Sequence, residues 1–590
     1  MRREPDRTKA GPKSPAKSRN LIDMSDGMDA VRRPLWMRLF AHDVSAPLLL
    51  LLLALAIFIP GQWTIPPLDR DEPRFTQATK QMLETDNYVD IRFQEEARHK
   101  KPVGIYWIQA AAVKMTGFGA DAPLWAYRLP SLIAACLTVL FVYWTARAFV
   151  GPPAALVAGL FCLAAIILGV EARLAKTDAV LFASIALAQG ALARIWLNGG
   201  EERRWGLAFL FWTGLAVGVL VKGPVALMVL GFTIAGIMVL TRKFAWFKSA
   251  APLAGLLWFV ALVLPWFVAI YIATDGAFFQ EAVGKDLLGK VGQGQEGHGA
   301  PPLTHLGVMF GVFWPLPAFV LLALGAIWRG RASPLVVFCA AWFLPSWVVF
   351  ELVATKLPHY TMPLLPALAI PVGAALMEGV GRQSNRALRW IAAVLLAIPA
   401  LALAVASFAG PLYLGDWPSP PGAVLAVFGA LLAIGAASRL VQGRPLDGVP
   451  LAVAASVVLT IGIWGFTGPA LKTIWISPRL TDAITESATC TDPAVASAGF
   501  NEPSFIFLQG TQTALVSGKD AADFLAGKTN AGITPEKAGA CRIAVVESRQ
   551  EQAFLEAANA NGLVPELRKR VDGLNINGGK RMDIGLYVHP

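Results

Sequence analysis

Ionisable side chains lie at the edges of several long apolar runs in this chain. One stretch, "IPPLDRDEPRF" at residues 65–75, places Asp71 and Glu72 among arginines directly after such a run. Lys222 closes another run in "LVKGP", and Tyr360 follows a lysine in "ATKLPHY". Carboxylates supply general acid or base catalysis, and lysine and tyrosine donate hydrogen bonds to phosphate oxygens. These residue types therefore suit a reaction on an anionic, phosphate-bearing substrate.

Composition places these residues in a membrane protein. Of 590 residues, 55% are hydrophobic and 15% are charged, with a mean hydropathy of +0.54. A soluble globular protein has about 25% charged residues. The formal net charge of +11 does not indicate nucleic-acid binding, because the basic residues form short clusters between apolar runs. The charge pattern therefore reports membrane topology, and we expect no nucleic-acid partner.

Thirteen apolar runs are predicted to be transmembrane helices. The first is too long for a signal peptide and has no small-residue cleavage site after it, so we expect it to remain as a span. Basic clusters such as "TRKFAWFK", "RGRAS" and "GRQSNRALR" occupy alternate connections, which the positive-inside rule assigns to the cytoplasm. The N-terminus is then inside, and everything after residue 468 is outside. The runs are 46–65, 125–149, 151–170, 179–197, 205–221, 224–241, 250–273, 305–328, 333–354, 361–380, 389–408, 423–440 and 449–467.

The connection between the first two spans is predicted to contain two helices that lie along the membrane plane. Residues 72–84 place apolar side chains on one helical face, and so do residues 101–118. The second segment is shorter than the roughly 20 residues that a span needs, and it contains Lys114. This loop, which also carries the acidic pair, is predicted to lie outside.

The chain divides into three parts by composition. Residues 1–44 are rich in Lys, Arg, Pro and Ser and predict a disordered basic cytoplasmic tail. Residues 45–468 hold the spans. In residues 469–590, short β-type runs ("AVASAGF", "SFIFLQG", "TALVSG", "RIAVVES", "DIGLYVHP") alternate with helical stretches such as "SRQEQAFLEAANANG". This last part is predicted to be a small α/β domain outside the membrane.

The five cysteines fall into two groups. Three lie in spans and are interpreted as small packing residues. Cys490 and Cys541 lie in the external domain, where the compartment permits a disulfide, although spacing alone does not fix connectivity. The sequence contains no zinc-type cysteine pairing, P-loop or dinucleotide fingerprint, which argues against a nucleotide-driven pump or a nucleotide-sugar enzyme.

The predicted topology brings ionisable residues from several connections to the outer face. Any one of them could be a snorkelling lysine or an acid that neutralises a neighbour. The positive-inside rule disfavours lysine at the outer face. The convergence of lysines and carboxylates there therefore predicts a substrate site. The candidate residues are Asp71, Glu72, Lys100, Lys101, Asp178, Lys222, Glu281, Lys285, His298, His359 and Tyr360.

The same motifs, in this order, resemble a known family. "RDEPRF", "HKKPVGIYW", "AKTDAVLF", "VKGPVAL" and "TKLPHYTMPLLPALA" are similar to motifs of the lipid-linked-sugar glycosyltransferases of the GT-C superfold. The nearest likeness is to bacterial 4-amino-4-deoxy-L-arabinose (aminoarabinose) transferases acting on lipid A, which share ancestry with protein O-mannosyltransferases. The resemblance implies a GT-C-type transmembrane catalytic domain at 45–468 in a bacterial inner membrane, with the domain at 469–590 in the periplasm.

The resemblance also implies a role for each matching residue. Asp71, with Glu72 beside it, matches the catalytic carboxylate, which deprotonates or positions the acceptor in an inverting transfer from a polyprenyl (undecaprenyl) phosphate sugar. Lys101, Lys222 and Tyr360 match the groups around the donor phosphate. The acceptor would be lipid A or another component of the cell envelope. The residues expected to line the substrate cavity are Asp178, Lys100, Glu281, Lys285 and His359.

Two departures from the family bear on metal binding and specificity. The family commonly has "EKP", whose Glu helps to coordinate a metal together with a His of a later outer loop. Lys100 replaces that Glu here, while His298 in "GHGAPP" retains the His. Because lysine is not a carboxylate ligand, the sequence does not establish a required cofactor, and a Zn²⁺ site with His298 as a ligand is left open. The later loop has "EAVGKD" in place of "EHxxRF", with Glu281 and Lys285 as partial equivalents, so the transferred sugar can differ from aminoarabinose.

Two alternatives stay open on the sequence alone. A lipid or sugar transporter, or a flippase, would also carry ionisable residues in its spans, but the polar motifs lie at one face and no inverted repeat is evident. An enzyme like the protein O-mannosyltransferases would use Ser or Thr of exported proteins as the acceptor. The sequence therefore predicts a glycosyltransferase and leaves its sugar and its acceptor open.

Overall fold

The computed structural model describes residues 34–68, 70–200, 202–289, 299–529 and 541–589. Residues 1–33, which form most of the predicted tail, lie outside these ranges, and so does the candidate ligand His298. The described chain opens with a short helix, Leu35–Phe40. The prediction of a disordered tail therefore concerns residues that are mostly not described.

Many of the described residues belong to long apolar helices. Nine helices in the described ranges are long and apolar enough to cross a membrane, and a tenth span results if Thr304–Val312 and Leu316–Arg329, bent by 113°, count as one. Shorter apolar helices, Ser45–Phe58, Pro152–Ala164 and Val225–Thr241, lie at other predicted spans. The prediction of a polytopic α-helical membrane protein is confirmed, whereas the number of thirteen spans stays a prediction. The nine helices are Leu124–Ala146, Asp178–Leu197, Trp205–Lys222, Pro252–Ala273, Pro334–Leu352, Pro358–Met377, Arg386–Leu414, Pro420–Val441 and Pro445–Ala470.

Local sequence explains where these helices begin, end and pack. Proline occupies the first turn of Pro252–Ala273 and Pro334–Leu352, where its missing N–H costs no hydrogen bond. Gly415 ends Arg386–Leu414 in the left-handed conformation, with φ of 91°. Asp178–Leu197 and Pro358–Met377 are the most buried of these nine helices, at 78% of their most apolar parts, against 22% for Pro252–Ala273. Both of these inner helices carry candidate site residues at their starts.

Two helices follow the first span, as predicted. They are Asp71–Thr85 and Gly104–Thr116, and the short strands Arg92–Phe93 and Glu96–Ala97 pair between them. Their orientation along the membrane plane stays a prediction. The buried apolar face of the first helix is formed by Phe75, Ala78 and Met82.

A close backbone contact joins this first loop to the spans. A Cβ atom at Gly104 would lie 2.7 Å from the carbonyl carbon and oxygen of Leu220, so only glycine permits this approach. Lys101 comes shortly before Gly104, and Lys222 comes shortly after Leu220. The contact therefore brings the two lysines predicted to bind phosphate toward the same region.

The C-terminal part of the described chain is an α/β domain, as predicted, and its location outside the membrane stays a prediction. Its helices are Ile476–Ser487, Pro503–Gln509, Gly518–Leu525 and Ser548–Ala560. In the spatial order of the sheet, the first three strands are parallel to one another, and each of the last two is antiparallel to the strand before it. The spatial order of the strands is Ala514–Val516, Ala494–Ala498, Arg542–Glu547, Lys580–Val588 and Glu566–Asn575.

One of the strands predicted from the β-type runs was wrong. "SFIFLQG" lies in the helix Pro503–Gln509, which begins with proline in its first turn. Phe505 packs into the core of the C-terminal domain, whereas Phe507 packs against the membrane domain. A short apolar run that is buried on several sides does not show whether it is a strand or a helix. The strand Glu566–Asn575 was not predicted, because its first half is charged and exposed.

The C-terminal domain contains a disulfide between Cys490 and Cys541, which are 51 positions apart in the sequence. Cross-linking a loop of this length restricts the unfolded chain and typically stabilises a domain by about 2–4 kcal/mol. We expect the Cys490→Ser/Cys541→Ser variant to lower the free energy of unfolding of this domain by that amount. Denaturant titration of the full-length protein in detergent measures the change, with unfolding of the C-terminal domain detected by its susceptibility to proteolysis. Reductant should destabilise the wild type equally and leave the variant unaffected; a wild type that does not respond to reductant would contradict the prediction.

Candidate active site

Asp178 and Lys222 meet where two membrane helices end. Asp178 begins Asp178–Leu197, and Lys222 ends Trp205–Lys222. Because these neighbouring helices run in opposite directions, the two side chains lie at the same end of the bundle. Lys222 Nζ donates a hydrogen bond to Asp178 Oδ1 and lies 5.3 Å from the centre of the Tyr360 ring. Three predicted site residues are therefore adjacent.

His359 and the turn before Asp178 complete this cluster. His359 Nδ1 lies 3.7 Å from Glu171 Oε1, and His359 Nε2 lies 3.6 Å from Asp178 Oδ1. Lys176 Nζ lies 3.1 Å from Glu171 Oε1 and 3.9 Å from Asp178 Oδ2. The short helix Ile166–Glu171 and the turn that follows it bring Glu171, Lys176 and Asp178 together. We call Glu171, Lys176, Asp178, Lys222, His359 and Tyr360 the lysine–carboxylate cluster.

The lysine–carboxylate cluster has a geometry that a metal ion could use. Glu171, Asp178 and His359 offer three ligand atoms within 4.8 Å of one another. However, Lys176 and Lys222 contact the same carboxylates, and their two ammonium groups balance the two negative charges. A divalent cation would add uncompensated positive charge to a buried site, which is costly. These residues therefore do not fit a resident Zn²⁺, and the predicted site at His298 lies outside the described residues.

Glu72 is fully buried, and its carboxylate is held by several donors. Arg128 donates to both oxygens, Nε to Oε1 at 2.7 Å and Nη2 to Oε2 at 2.9 Å. The backbone N–H groups of Leu68 and Ala175 donate to the same carboxylate at 2.7 and 2.9 Å. Glu72 thus links the first loop to the turn that carries Lys176 and Asp178. These contacts hold Glu72 in place, and the catalytic role that the family resemblance implies for it stays a prediction.

Asp71 has a more open environment than its neighbour. It begins the helix Asp71–Thr85, where the helix dipole favours a carboxylate. Its side chain is 44% exposed, and Arg74 Nη1 lies 3.7 Å from Oδ1. Burial raises the pKa of the nearby Tyr106 phenol, Arg98 opposes this increase, and the negative charge of Asp71 adds to it. Asp71 can therefore accept a proton or a hydrogen bond from an incoming group.

A second cluster of polar side chains lies between the first loop and the short helix Gln280–Leu287. Lys101 Nζ donates to Asp286 Oδ2 at 2.9 Å. His99 Nε2 lies 2.8 Å from Asp90 Oδ1, and His99 Nδ1 lies 3.8 Å from Glu281 Oε2. The hydrogen bond with His99 holds the pKa of the Asp90 carboxyl below its usual range. Lys101 and Glu281, predicted from separate loops, thus belong to one contact region.

The structure groups the predicted residues only in part. Lys285 is exposed on the Gln280–Leu287 turn, and Lys100 is partly buried beside Lys101. Sequence reasoning did not assign roles to Glu171, Lys176 or Arg128. The motif "EARLAKTD" contains the first two of these three, and its alternating charges were the available signal. Arg128 gave no signal, since it lies inside a predicted span.

The chain is similar in sequence to known glycosyltransferases. The family described as dolichyl-phosphate-mannose-protein mannosyltransferase matches residues 100–268. Among curated proteins, the undecaprenyl phosphate-alpha-4-amino-4-deoxy-L-arabinose arabinosyl transferase of Pseudomonas paraeruginosa is 29% identical over 406 residues, covering 66% of this chain and 70% of that protein. A protein of the same name from Pseudomonas aeruginosa PAO1 is 29% identical over 407 residues, with the same shares covered.

A solved structure extends the likeness to nearly the whole chain. The crystal structure of ArnT from Cupriavidus metallidurans bound to undecaprenyl phosphate superposes with a TM-score of 0.68 at 17% identity, covering 93% of this chain and 98% of that chain. The apo structure of the same protein gives the same score. The resemblance inferred from the motifs is thus confirmed: the chain is related in sequence to the aminoarabinose transferases and has the fold of ArnT.

Proposed function

We propose that the chain is an inverting glycosyltransferase that moves a sugar from a polyprenyl phosphate donor to lipid A. The observation that carries the proposal is an open carboxylate, Asp71, linked through Glu72 to a buried cluster containing Lys222 and Tyr360. The curated relatives are named as undecaprenyl phosphate-aminoarabinose transferases, and ArnT was crystallised with undecaprenyl phosphate. These names support a lipid-linked donor and a pentose such as aminoarabinose.

The reaction we propose forms one bond and breaks another. An acceptor oxygen attacks the anomeric carbon from the face opposite the lipid phosphate, and the bond between that carbon and the phosphate oxygen breaks. Asp71 takes the acceptor proton, or positions the acceptor by accepting a hydrogen bond from it. The departing phosphate gains negative charge, which fixed cations stabilise more strongly in the transition state than in the substrate.

Lys222 is well placed to supply that positive charge. An ammonium group has three donors, so Lys222 can keep its hydrogen bond to Asp178 while it donates to phosphate oxygens. Asp178 then fixes the lysine in place before the donor binds. Lys101, held by Asp286 at 2.9 Å, is proposed to act in the same way from the first loop.

The proposed topology follows the sequence prediction. Thirteen spans cross the inner membrane of a bacterium, with the N-terminus in the cytoplasm and the C-terminal domain in the periplasm. Reaction then takes place at the periplasmic face, where the lipid donor and the lipid acceptor can both reach the site from the membrane. The match of residues 100–268 to a protein mannosyltransferase family favours, as a second candidate, transfer to Ser or Thr of exported proteins.

Replacing Lys222 tests the role of the fixed charge. We expect Lys222→Gln to lower kcat about 10²–10³-fold, the cost typical of losing one donor at a developing negative charge. Lys243→Gln, which changes an exposed lysine in a connection predicted to be cytoplasmic, should retain wild-type kcat. Steady-state rates of the purified proteins at saturating donor measure both. A Lys222→Gln protein with wild-type kcat would show that the phosphate does not depend on this lysine.

Reconstitution tests the proposed function itself. The full-length protein in lipid vesicles is given undecaprenyl phosphate aminoarabinose with a labelled sugar, together with lipid A. We expect label on lipid A and an equal amount of released undecaprenyl phosphate. Label on an exported Ser/Thr-rich polypeptide, supplied in place of lipid A, would replace the lipid acceptor with a protein. Movement of intact donor between leaflets, without cleavage, would identify a transporter and overturn the proposal.

A further inference from the structure

The C-terminal domain reaches the reactive end of the first loop through Glu502. Glu502 is buried and lies directly before the helix Pro503–Gln509. Arg70 donates to it twice, Nη2 to Oε1 at 3.0 Å and Nε to Oε2 at 3.3 Å. Asn575 and Asn577 also donate to it, at 2.7 and 3.0 Å. The C-terminal domain therefore holds Glu502 rigidly and presents its carboxylate to the loop.

Arg70 immediately precedes Asp71. It occupies the N-cap position of the helix Asp71–Thr85 and makes no side-chain cap of its own. Its side chain is 46% exposed, yet it ends on a carboxylate whose side chain is only 9% exposed. Binding the cap residue to a fixed partner limits the movement of the first turn.

The C-terminal domain holds the rest of this helix through different contacts. Gln77 Nε2 donates to Thr511 Oγ1 at 2.7 Å, and Thr511 Oγ1 donates to Glu84 Oε2 at 2.7 Å. Phe507 packs edge-on against Tyr127, with ring centres 5.4 Å apart, in a cluster that includes Ala175. Domain docking therefore has several supports, and one of them, the Glu502–Arg70 pair, involves the residue that directly precedes Asp71.

We propose that Glu502 is a positioning residue for transfer, which holds Asp71 in its reactive orientation through Arg70. The inference rests on the proposed function and assigns the C-terminal domain a part in the reaction. Its effect is geometric, since Glu502 contacts neither Asp71 nor the lysine–carboxylate cluster. A small displacement of a reacting group lowers a rate by up to about 10²-fold. Loss of the pair should therefore change kcat and leave donor binding unaltered.

Steady-state kinetics on the full-length protein in vesicles test this inference. Glu502→Gln should lower kcat about 10- to 100-fold with an unchanged KM for the donor, and Glu502→Asp should restore part of the loss. Thr511→Val, which removes docking contacts away from Asp71, should keep wild-type kcat. Since Glu502 acts through Arg70, the double variant Arg70→Met/Glu502→Gln should lose no more activity than Glu502→Gln alone.

Several results would overturn the inference. One is a Glu502→Gln protein with wild-type kcat; another is Thr511→Val with the same loss as Glu502→Gln, which would mean that docking alone matters. Multiplied losses in the double variant would show that the two residues act independently. A thermal melt of each variant identifies any that fail to fold, and Arg70→Met, which changes a half-exposed side chain, then carries the test. A wild type without transfer activity would contradict the proposed function instead, so the two failures are distinguishable.

Discussion

Replacing Asp71 by Asn should abolish sugar transfer while leaving the protein folded and able to bind its donor. Asn keeps the size and the hydrogen-bonding oxygen of the side chain but accepts no proton and carries no charge. We expect kcat to fall about 10²–10⁴-fold, the range typical of a lost general base. The side chain is 44% exposed, so the substitution leaves no buried group without a partner. Rates with labelled donor and a thermal melt measure the two effects separately.

The other end of the same helix provides a matched control. Asp86 follows the helix Asp71–Thr85 in the left-handed conformation, with φ of 53°, which Asn adopts readily. Asp86→Asn makes the same chemical change on an exposed residue and should keep wild-type kcat. An Asp71→Asn protein that transfers sugar at the rate of the Asp86→Asn protein would remove Asp71 from the mechanism.

Replacing Glu72 by Gln should destabilise the protein rather than change its chemistry. The substitution leaves the Arg128 guanidinium buried without its carboxylate, since both side chains are 0% exposed. Breaking a buried pair in this way costs about 3–5 kcal/mol. We expect a large loss of folded protein in membranes, and a similar loss for Arg128→Gln. Thermal melts in detergent and the yield of folded protein measure the effect.

The control and the contradictory result are specific. Glu96→Gln changes an exposed carboxylate of the same loop and should melt like the wild type. If Glu72→Gln melts like the wild type and transfers no sugar, then Glu72 takes part in the chemistry, as the family resemblance implies. The substitutions of the two neighbouring acids should thus have different effects: Asp71→Asn should lower the transfer rate, and Glu72→Gln should lower the stability.

The sequence predicted the general position of the site because hydropathy and charge determine which helix ends share a face. Asp178, Lys222 and Tyr360 come from separate spans, and the structure places them together. The difference between Asp71 and Glu72 was not predictable, because it depends on Arg128. That arginine lies 56 positions from Glu72 within a predicted span. Only tertiary packing shows that one acid is buried and held while its neighbour is exposed.

The loops and the C-terminal domain were less predictable for other physical reasons. The pairing of Lys101 with Asp286 joins residues 185 positions apart, and no local pattern indicates it. The run "SFIFLQG" is apolar on several sides because Phe505 and Phe507 pack into different cores. That pattern does not distinguish a strand from a helix. Glu502 lies just before this run. No local pattern indicates its contact with Arg70, which is 432 positions away in the sequence.

Mass spectrometry of lipid A tests the central claim most directly. A host that makes the undecaprenyl phosphate sugar donor expresses either the wild type or the Asp71→Asn variant at matched membrane levels. The account predicts lipid A molecules heavier by one sugar residue with the wild type, and none with the variant. Identical lipid A spectra from both strains, with folded protein and donor present, would contradict it.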